Sequence, residues 1–361
     1  MIENLIKFFL FFLCFLSSVI HAQPLSLEDP KWFWMDAQIE EEFKEFENTG
    51  IALEMLNSVM EKVPEIIFGP NLVRLKIING KVYGPGGFAK HLLDTICEIY
   101  SVPDVDLIIL EQDIIWNHGI LTGPVLATCK ILGTTKKMIH FPVQLWLEWE
   151  RDYIGNVENA CEASPWESKV EKIFWRGNNT DGIYDNPQDW IKLRRGKLSY
   201  FSKQYPDLID ATFSGVYDWQ ISKNLQESFF QFFPKKRASW EEYIQHKYLM
   251  DMDGCVASTP GFAWKLLSNC AVLKHDSIYT LWYYKCLLPW VHYIPIKEDL
   301  SDVFQKIQWA KDHDEDARQI AENGRAFAHE NLMPQHLYLY CYKVLLKYAS
   351  LQRFTPSIKS E

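Results

Sequence analysis

Residues 247–263 have the sequence KYLMDMDGCVASTPGFA, and this stretch decides which fold class the chain adopts. Its first part, Lys247–Met252, is short and largely apolar, which predicts a buried strand. A loop of small residues follows, then a predicted helix over Ala263–Leu267 and a second strand over Ala271–Lys274. A strand, a helix and a second strand in close succession form a βαβ unit with parallel strands. The stretch therefore predicts an α/β fold that binds ligands at the carboxyl ends of its strands.

The same alternation of strands and helices extends over most of the chain. Asn79-Gly80 lies between two β-like runs, 72–78 and 81–83, and predicts a hairpin with a type I′ turn. Further strands are predicted at 104–110, 138–142, 172–175 and 291–295. Helices are predicted at 29–62, 87–100, 187–203 and 279–287, and two more over 301–350 with a local break at Gly324.

A polar segment, 157–171, divides this pattern into two sets of strands and helices. We therefore predict two α/β lobes, 23–160 and 161–334, with a C-terminal helix at about 335–350 packing back on the first. The composition, 48% hydrophobic and 23% charged residues, is enough for a large core. A net charge of −10 argues against a general nucleic-acid binder, which needs a basic surface.

The first 22 residues are typical of a secretory signal peptide. An apolar run, 8–16, follows Lys7, and small residues precede a predicted cleavage site after Ala22. The alternative is a retained membrane anchor, for which this run is short. Of the eight cysteines, seven lie beyond this segment, and an odd number in an exported protein means at least one free thiol or an intermolecular disulfide.

Two predicted strands end in side chains suited to transfer chemistry. Asp113 follows the strand 104–110, where a carboxylate can accept a proton from a hydroxyl, the alternative being a structural or solvated acid. Arg176, with Gly177 behind it, offers a planar fork that matches diphosphate oxygens. The alternative for Arg176 is an ordinary turn in which the guanidinium pairs with an acid.

Two further candidates remain open in the same way. Asp251 and Asp253 form a D-x-D pattern that can hold a divalent metal beside a nucleotide, although Asp104 and Asp106 show how easily the pattern arises by chance. His292 titrates near neutrality and suits a general acid or base, and the alternative is a hydrogen-bonded core histidine.

Four motifs carry a family resemblance: LPWVHYIPI at 288–296, PWESK and FWRG within 165–177, IAENGRAF at 320–327, and the strand 104–110 leading to Asp113. In their order along the chain, these motifs resemble those of the CAP10-like glycosyltransferases, glycosyltransferase family 90. That family includes protein O-glucosyltransferases acting on EGF repeats, capsule xylosyltransferases and lipopolysaccharide-modifying relatives. The resemblance covers about residues 100–350.

The resemblance implies a GT-B-like fold, with two Rossmann-like lobes and the active site in the cleft between them. It also implies inverting transfer from a UDP-sugar without a metal or other cofactor, with Asp113 as the general base. The implied donor-binding residues are Arg176, Gly177, Asn179, Gly254, Ala257 and Ser258. Relatives usually carry a second Arg near Gly261, which this chain lacks. The alternatives are that Lys265 or Lys274 compensates as a donor contact, that another donor is used, or that activity is weak.

The expected partners are a UDP-sugar, with glucose or xylose as the leading sugars, and a protein or glycan acceptor. The expected location is the secretory pathway, the ER lumen in a eukaryote, with membrane attachment only if the N-terminal segment is retained. Three other functions stay open. They are a non-catalytic sugar-nucleotide or glycan-binding relative, a metal-dependent transferase using Asp251 and Asp253, and a purely structural exported protein.

Overall fold

The computed structural model describes residues 25–62, 72–111, 121 and 123–358. The predicted signal segment lies outside these residues. The chain forms two compact units. One contains the described residues up to Ala127, Lys136–Val143 and the chain from Met333 onward, and the other contains Thr128–Thr135 and Gln144–Leu332. None of the described helices is both long and apolar enough to cross a membrane.

The strands of the described chain are β1 Leu72–Ile78, β2 Lys81–Tyr83, β3 Val105–Leu110, β4 Val125–Ala127, β5 Lys130–Ile131, β6 Met138–His140, β7 Val170–Asn178, β8 Ile209–Gly215, β9 His246–Asp251, β10 Ala271–His275, β11 Tyr279–Thr280 and β12 Ile294–Ile296. The α-helices are α1 Phe33–Phe43, α2 Leu53–Glu61, α3 Phe88–Ile99, α4 Val143–Glu150, α5 Tyr153–Glu162, α6 Arg194–Gln204, α7 Lys223–Phe232, α8 Trp240–Ile244, α9 Gly261–Leu267, α10 Val303–Asp312, α11 Asp314–Asn331 and α12 Pro334–Leu351.

The first unit is built on a five-stranded sheet in the order β2-β1-β3-β4-β6. Strand β1 pairs antiparallel with β2 and β3, and β3, β4 and β6 are parallel. The predicted hairpin is confirmed: Asn79 and Gly80 both have positive φ, 51° and 71°, as a type I′ turn requires. Helix α12 packs against α1 within this unit.

The helical region predicted over 29–62 is divided by a turn into two α-helices. Helix α1 ends at Phe43, a short 3-10 segment follows, and α2 begins only at Leu53. Between them Gly50 has φ of +69°, a conformation that a side chain disfavours. Apolar residues at helical spacing occur on both sides of this turn. The sequence pattern therefore did not reveal the break.

The second unit is built on a fully parallel sheet in the order β12-β10-β9-β7-β8. When the five strands are numbered by their order in the chain and read from the β8 edge, the order is 2-1-3-4-5. This is one of the two common doubly wound arrangements. The α/β fold class predicted from the sequence is therefore confirmed. In such sheets the strand order reverses at one point, here between β7 and β9, and the chain leaves these two strands toward opposite faces.

Several predicted elements of the second unit need correction. Residues 279–287 are not a helix but strand β11 followed by a 3-10 turn at Tyr284–Cys286. The helix predicted at 187–203 begins only at Arg194, and 301–350 contains three helices instead of two. Gly324 does not break a helix but lies inside α11, where an added Cβ would stand 2.8 Å from the His292 carbonyl oxygen. Close packing, not a turn, requires this glycine.

Candidate functional site

A buried arginine joins the two loops that leave β7 and β9. Arg195, on the first turn of α6, donates from Nη1 to the Asn178 carbonyl and the Thr180 hydroxyl, both at 2.6 Å. Its Nη2 and Nε donate to the carbonyls of Met252, at 2.8 Å, and Asp253, at 3.1 Å. One guanidinium therefore fixes both loops at the point where the strand order reverses.

Arg195 is not among the site residues predicted from the sequence. It lies beside Arg194 in the same helical turn, and no spacing or composition signal separates the buried residue from its neighbour. Arg194 instead forms an ion pair with exposed Glu298 at 3.2 Å. Only the three-dimensional path of the two loops shows which of the two arginines they enclose.

The loop after β9, residues 252–260, is here called the Gly254 loop, and it packs tightly against the loop after β7. A Cβ on Gly254 would lie 2.2 Å from the Thr180 hydroxyl oxygen and 3.2 Å from Arg195 Nη2, so this position has no room for a side chain. Cys255 donates its thiol proton to the Thr180 carbonyl at 3.0 Å. The Ser258 N–H donates to Asp253 Oδ1 at 3.1 Å. Gly254, Ala257 and Ser258, predicted to bind the donor, therefore lie on one fixed loop.

Gly177 lies near the end of β7, and Asn179 begins the loop that follows it. Asn179 is fully buried, and its Oδ1 accepts the Tyr217 N–H at 2.7 Å, while its Nδ2 has no acceptor among the described residues. A Cβ on Gly177 would approach the Trp175 ring to 2.5 Å. The two residues shape the loop that meets Gly254, and any direct contact of theirs with a donor stays a prediction.

Arg176 lies one residue earlier and points to the β8 side of the sheet. Its Nη2 forms an ion pair with Asp210 at 2.7 Å, and its Nη1 donates to the carbonyls of Trp175 and Asp210 at 2.9 and 3.0 Å. The guanidinium also lies over the Phe174 ring, 4.2 Å from its centroid. The pairing with an acid, which the sequence left open, is what the structure shows, and a contact with a diphosphate stays a prediction.

The D-x-D pair forms a buried ion network with two lysines. Lys265 lies 2.8 Å from Asp251 Oδ1, and Lys274 lies 2.8 Å from Asp253 Oδ1 and 3.4 Å from Asp251 Oδ2. Burial opposes charge on both carboxyl groups, but the ammonium groups outweigh it and hold the pKa of Asp251 and of Asp253 below the ordinary value. The charges of the two carboxylates and the two ammonium groups therefore cancel within this buried network at the carboxyl edge of the sheet.

Two of the predicted donor contacts, Lys265 and Lys274, belong to this network and pair with carboxylates of the chain itself. Lys265 and Lys274 are both buried, and their ammonium groups face Asp251 and Asp253. Within the described part of the chain, no group of three or more His, Cys, Asp or Glu side chains is arranged to hold a metal ion. Lys274 contacts both carboxylates, and Lys265 contacts Asp251.

His275 completes the network and is held neutral. Its Nε2 accepts the backbone N–H of Asp253 at 2.9 Å, which requires that this nitrogen carry no proton. Burial, reinforced by the Lys274 charge, lowers the pKa of His275 to about 4. His292 also accepts a backbone N–H, from Leu288 at Nδ1, but it is half-buried in the turn before β12 and is not a core residue of a strand.

Acidification is expected to weaken the fold through His275 between pH 6.5 and 4. The unfolded chain binds this proton below its ordinary pKa of 6.5 and the folded chain only near 4, so unfolding takes up a proton in that window. The unfolding free energy should fall as the pH is lowered, by about 3 kcal/mol in total from this group. Urea unfolding at several pH values should show a shallower slope for His275→Gln than for wild type. Equal slopes would contradict the assignment.

Two predictions, the role of Asp113 and the state of the cysteines, do not involve the residues of this site. Asp113 belongs to a segment that the structure does not describe, so its role stays a prediction. The seven cysteines of the described chain form no disulfide with one another.

A parallel sheet in this order, with the loop after β9 fixed at its reversal point, defines a doubly wound α/β unit, a fold whose members bind ligands at the carboxyl edge of the sheet. The chain belongs to glycosyl transferase family 90, whose sequence profile matches residues 30–361. The resemblance inferred from the motifs is thereby confirmed.

Three relatives show how far the similarity extends. The chain is 28% identical to human "Protein O-glucosyltransferase 3" over 347 residues, 90% of this chain and 63% of the relative. It is 36% identical to zebrafish "Protein O-glucosyltransferase 2" over 194 residues, 54% of this chain and 35% of the relative. It is 26% identical to "O-glucosyltransferase rumi" of Drosophila pseudoobscura pseudoobscura over 283 residues, 70% of this chain and 62% of the relative. The chain thus matches less than two thirds of the length of each.

Proposed function

We propose that this chain transfers a sugar from a UDP-sugar to a hydroxyl group of a protein or glycan acceptor. Membership of a glycosyl transferase family supports the reaction class, and relatives named O-glucosyltransferases favour glucose as the sugar. The structural observation that carries the proposal is the Gly254 loop, fixed by Arg195 and Asp253 at the reversal point of the parallel sheet. This is where doubly wound sheets bind nucleotides.

The proposed chemistry is a single displacement with inversion. The Asp113 carboxylate takes the proton of the acceptor hydroxyl as that oxygen bonds to the anomeric carbon. The bond from that carbon to the β-phosphate oxygen breaks, and UDP leaves with the electron pair. The loop after β9 is proposed to contact the diphosphate through other backbone groups and the Ser258 hydroxyl, because the N–H groups of Gly254 and Ser258 already donate to the Val256 carbonyl and to Asp253. Gly254, Ala257 and Ser258 are the donor contacts proposed on this loop.

The lysines are proposed to act through the carboxylates. Lys274 neutralises Asp253, and Asp253 in turn fixes the Ser258 N–H, so the ammonium group keeps the loop in place for the donor. Lys265 does the same for Asp251. With the carboxylates already neutralised by lysines, the proposed reaction needs no metal at this position.

The second candidate function is a relative that binds sugar nucleotides or glycans without catalysis. One observation favours it: Arg176, Arg195, Lys265 and Lys274, four cations near the strand ends, all interact with acceptors of the protein itself. A weakly stabilised leaving group would slow transfer. The acceptor and the compartment follow the relatives as proposals: a protein in the secretory pathway, with membrane attachment only if the N-terminal segment is retained.

Incubation of the purified chain with a panel of UDP-sugars tests the proposal directly. We expect UDP release and acceptor-dependent transfer with UDP-glucose or UDP-xylose, unchanged by a chelator of divalent ions. Stabilisation by UDP in thermal unfolding, without hydrolysis or transfer from any donor, would support the non-catalytic candidate instead. Activity that disappears with the chelator and returns with manganese would contradict the metal-free mechanism.

A further inference from the structure

A basic pocket lies beside the proposed donor loop, over the edge of the sheet formed by β7 and β8. Its volume is about 570 Å³, and its walls include Arg176, Asn178, Ser214, Lys235, Arg237 and Tyr243. Three of these side chains are cationic, and none of the described residues that line the pocket is acidic. In a chain with a net charge of −10, such a cluster is a local reversal of sign.

The loop that carries the two outer cations is fixed to strand β8. The Thr212 hydroxyl donates to the Pro234 carbonyl at 2.6 Å, and the Lys236 N–H donates to the Phe213 carbonyl at 2.9 Å. Lys235 and Arg237 flank the residue held by the second of these bonds. Their backbone positions are therefore set before a ligand arrives, which lowers the entropic cost of binding.

Arg176 lines the pocket and carries one N–H group without a partner among the described residues. Only 9% of this residue is exposed, and both terminal nitrogens are engaged by Asp210 or backbone carbonyls. Its Nε is buried and has no hydrogen-bond acceptor among the described residues. A buried N–H without a partner is costly, and a ligand oxygen in the pocket would satisfy it.

We propose that this pocket binds a phosphate or diphosphate group through Lys235, Arg237 and the Arg176 Nε. Asp210 partly offsets the Arg176 charge, so the net attraction comes from the two outer cations, while Arg176 supplies a directional N–H. The pocket faces the β8 side of the sheet, whereas the proposed donor loop follows β9. The phosphate belongs either to the nucleotide donor or to a second, phosphorylated ligand.

Calorimetric titration of the full chain with inorganic pyrophosphate tests the site without requiring sugar transfer. We expect wild type to bind pyrophosphate, and the double variant Lys235→Gln, Arg237→Gln to bind it at least about tenfold more weakly. Both replaced side chains are exposed, so the unliganded melting temperature should stay unchanged. The control is Lys172→Gln, near the opposite end of β7, which should bind as wild type does.

The same titration in the presence of saturating UDP identifies the source of the phosphate. Loss of pyrophosphate binding would place the donor nucleotide in the pocket, and unchanged binding would assign the site to a separate phosphorylated ligand. No pyrophosphate binding by wild type, or equal affinity in wild type and the double variant, would overturn the proposal. Neither result depends on catalysis, so a failure here differs from failure of the proposed transferase activity.

Discussion

Replacing Asp113 with Asn is expected to lower the kcat for sugar transfer by about 10²–10⁴-fold, the usual contribution of a positioned general base. The amide keeps the size of the side chain but cannot take the acceptor's proton. Donor binding does not need that proton transfer, so the KM for the UDP-sugar should change little. Initial rates at saturating donor and acceptor measure the effect, and thermal unfolding checks that the variant folds.

Asp104→Asn is the matched control for this variant. Asp104 precedes β3, the strand whose other end leads toward Asp113, and its carboxylate accepts the Asn79 N–H at 2.7 Å in the hairpin turn. Its amide variant should retain transfer within about twofold, as expected of a surface substitution away from the site. If Asp113→Asn loses less than about tenfold, another group is the base and the mechanism must be reassigned.

The fold was predictable because its signals are local. The apolar run at 247–252 followed by small residues indicated a βαβ unit, and Asn79-Gly80 indicated a hairpin, since each needs only neighbouring residues. Strand β8 was missed although its residues 210–214 alternate in polarity, the pattern typical of a half-buried edge strand. Gly324 was misjudged because packing against a distant carbonyl leaves no trace in the helix's own sequence.

The candidate site was only partly predictable for a related reason. The sequence places Gly254 and Ser258 in a loop after a strand, and the structure shows that loop fixed at the reversal point of the sheet. It could not show that Lys265 and Lys274 face the D-x-D carboxylates, because the pairs lie 14 and 21 residues apart and meet only across the sheet and α9. Which charges neutralise each other is a property of the folded structure.

Lys274→Met is expected to destabilise the fold by about 3–5 kcal/mol, the usual cost of removing one partner from a buried ion pair. Methionine fills a similar volume, but it leaves Asp251 and Asp253 with Lys265 alone. Burial favours the neutral amine of Lys274, yet the carboxylates of Asp253 and Asp251 outweigh it and raise its pKa, so the wild-type group is an ammonium ion. Urea unfolding at pH 7 measures the loss, with Lys172→Met as a control that should lie within about 0.5 kcal/mol of wild type.

The double variant Lys274→Met, Asp253→Asn separates charge from packing. Asn removes the unpaired carboxylate and keeps an oxygen that can accept the Ser258 N–H, so it should restore at least half of the stability lost in Lys274→Met. A deficit in the double variant as large as in the single one would mean that Lys274 stabilises by packing alone. A cost of less than about 1 kcal/mol for Lys274→Met would mean that the two carboxylates do not need this lysine. Because Asp253 also fixes the Gly254 loop, the same variants should weaken UDP binding in the order of their stability loss if that loop holds the donor.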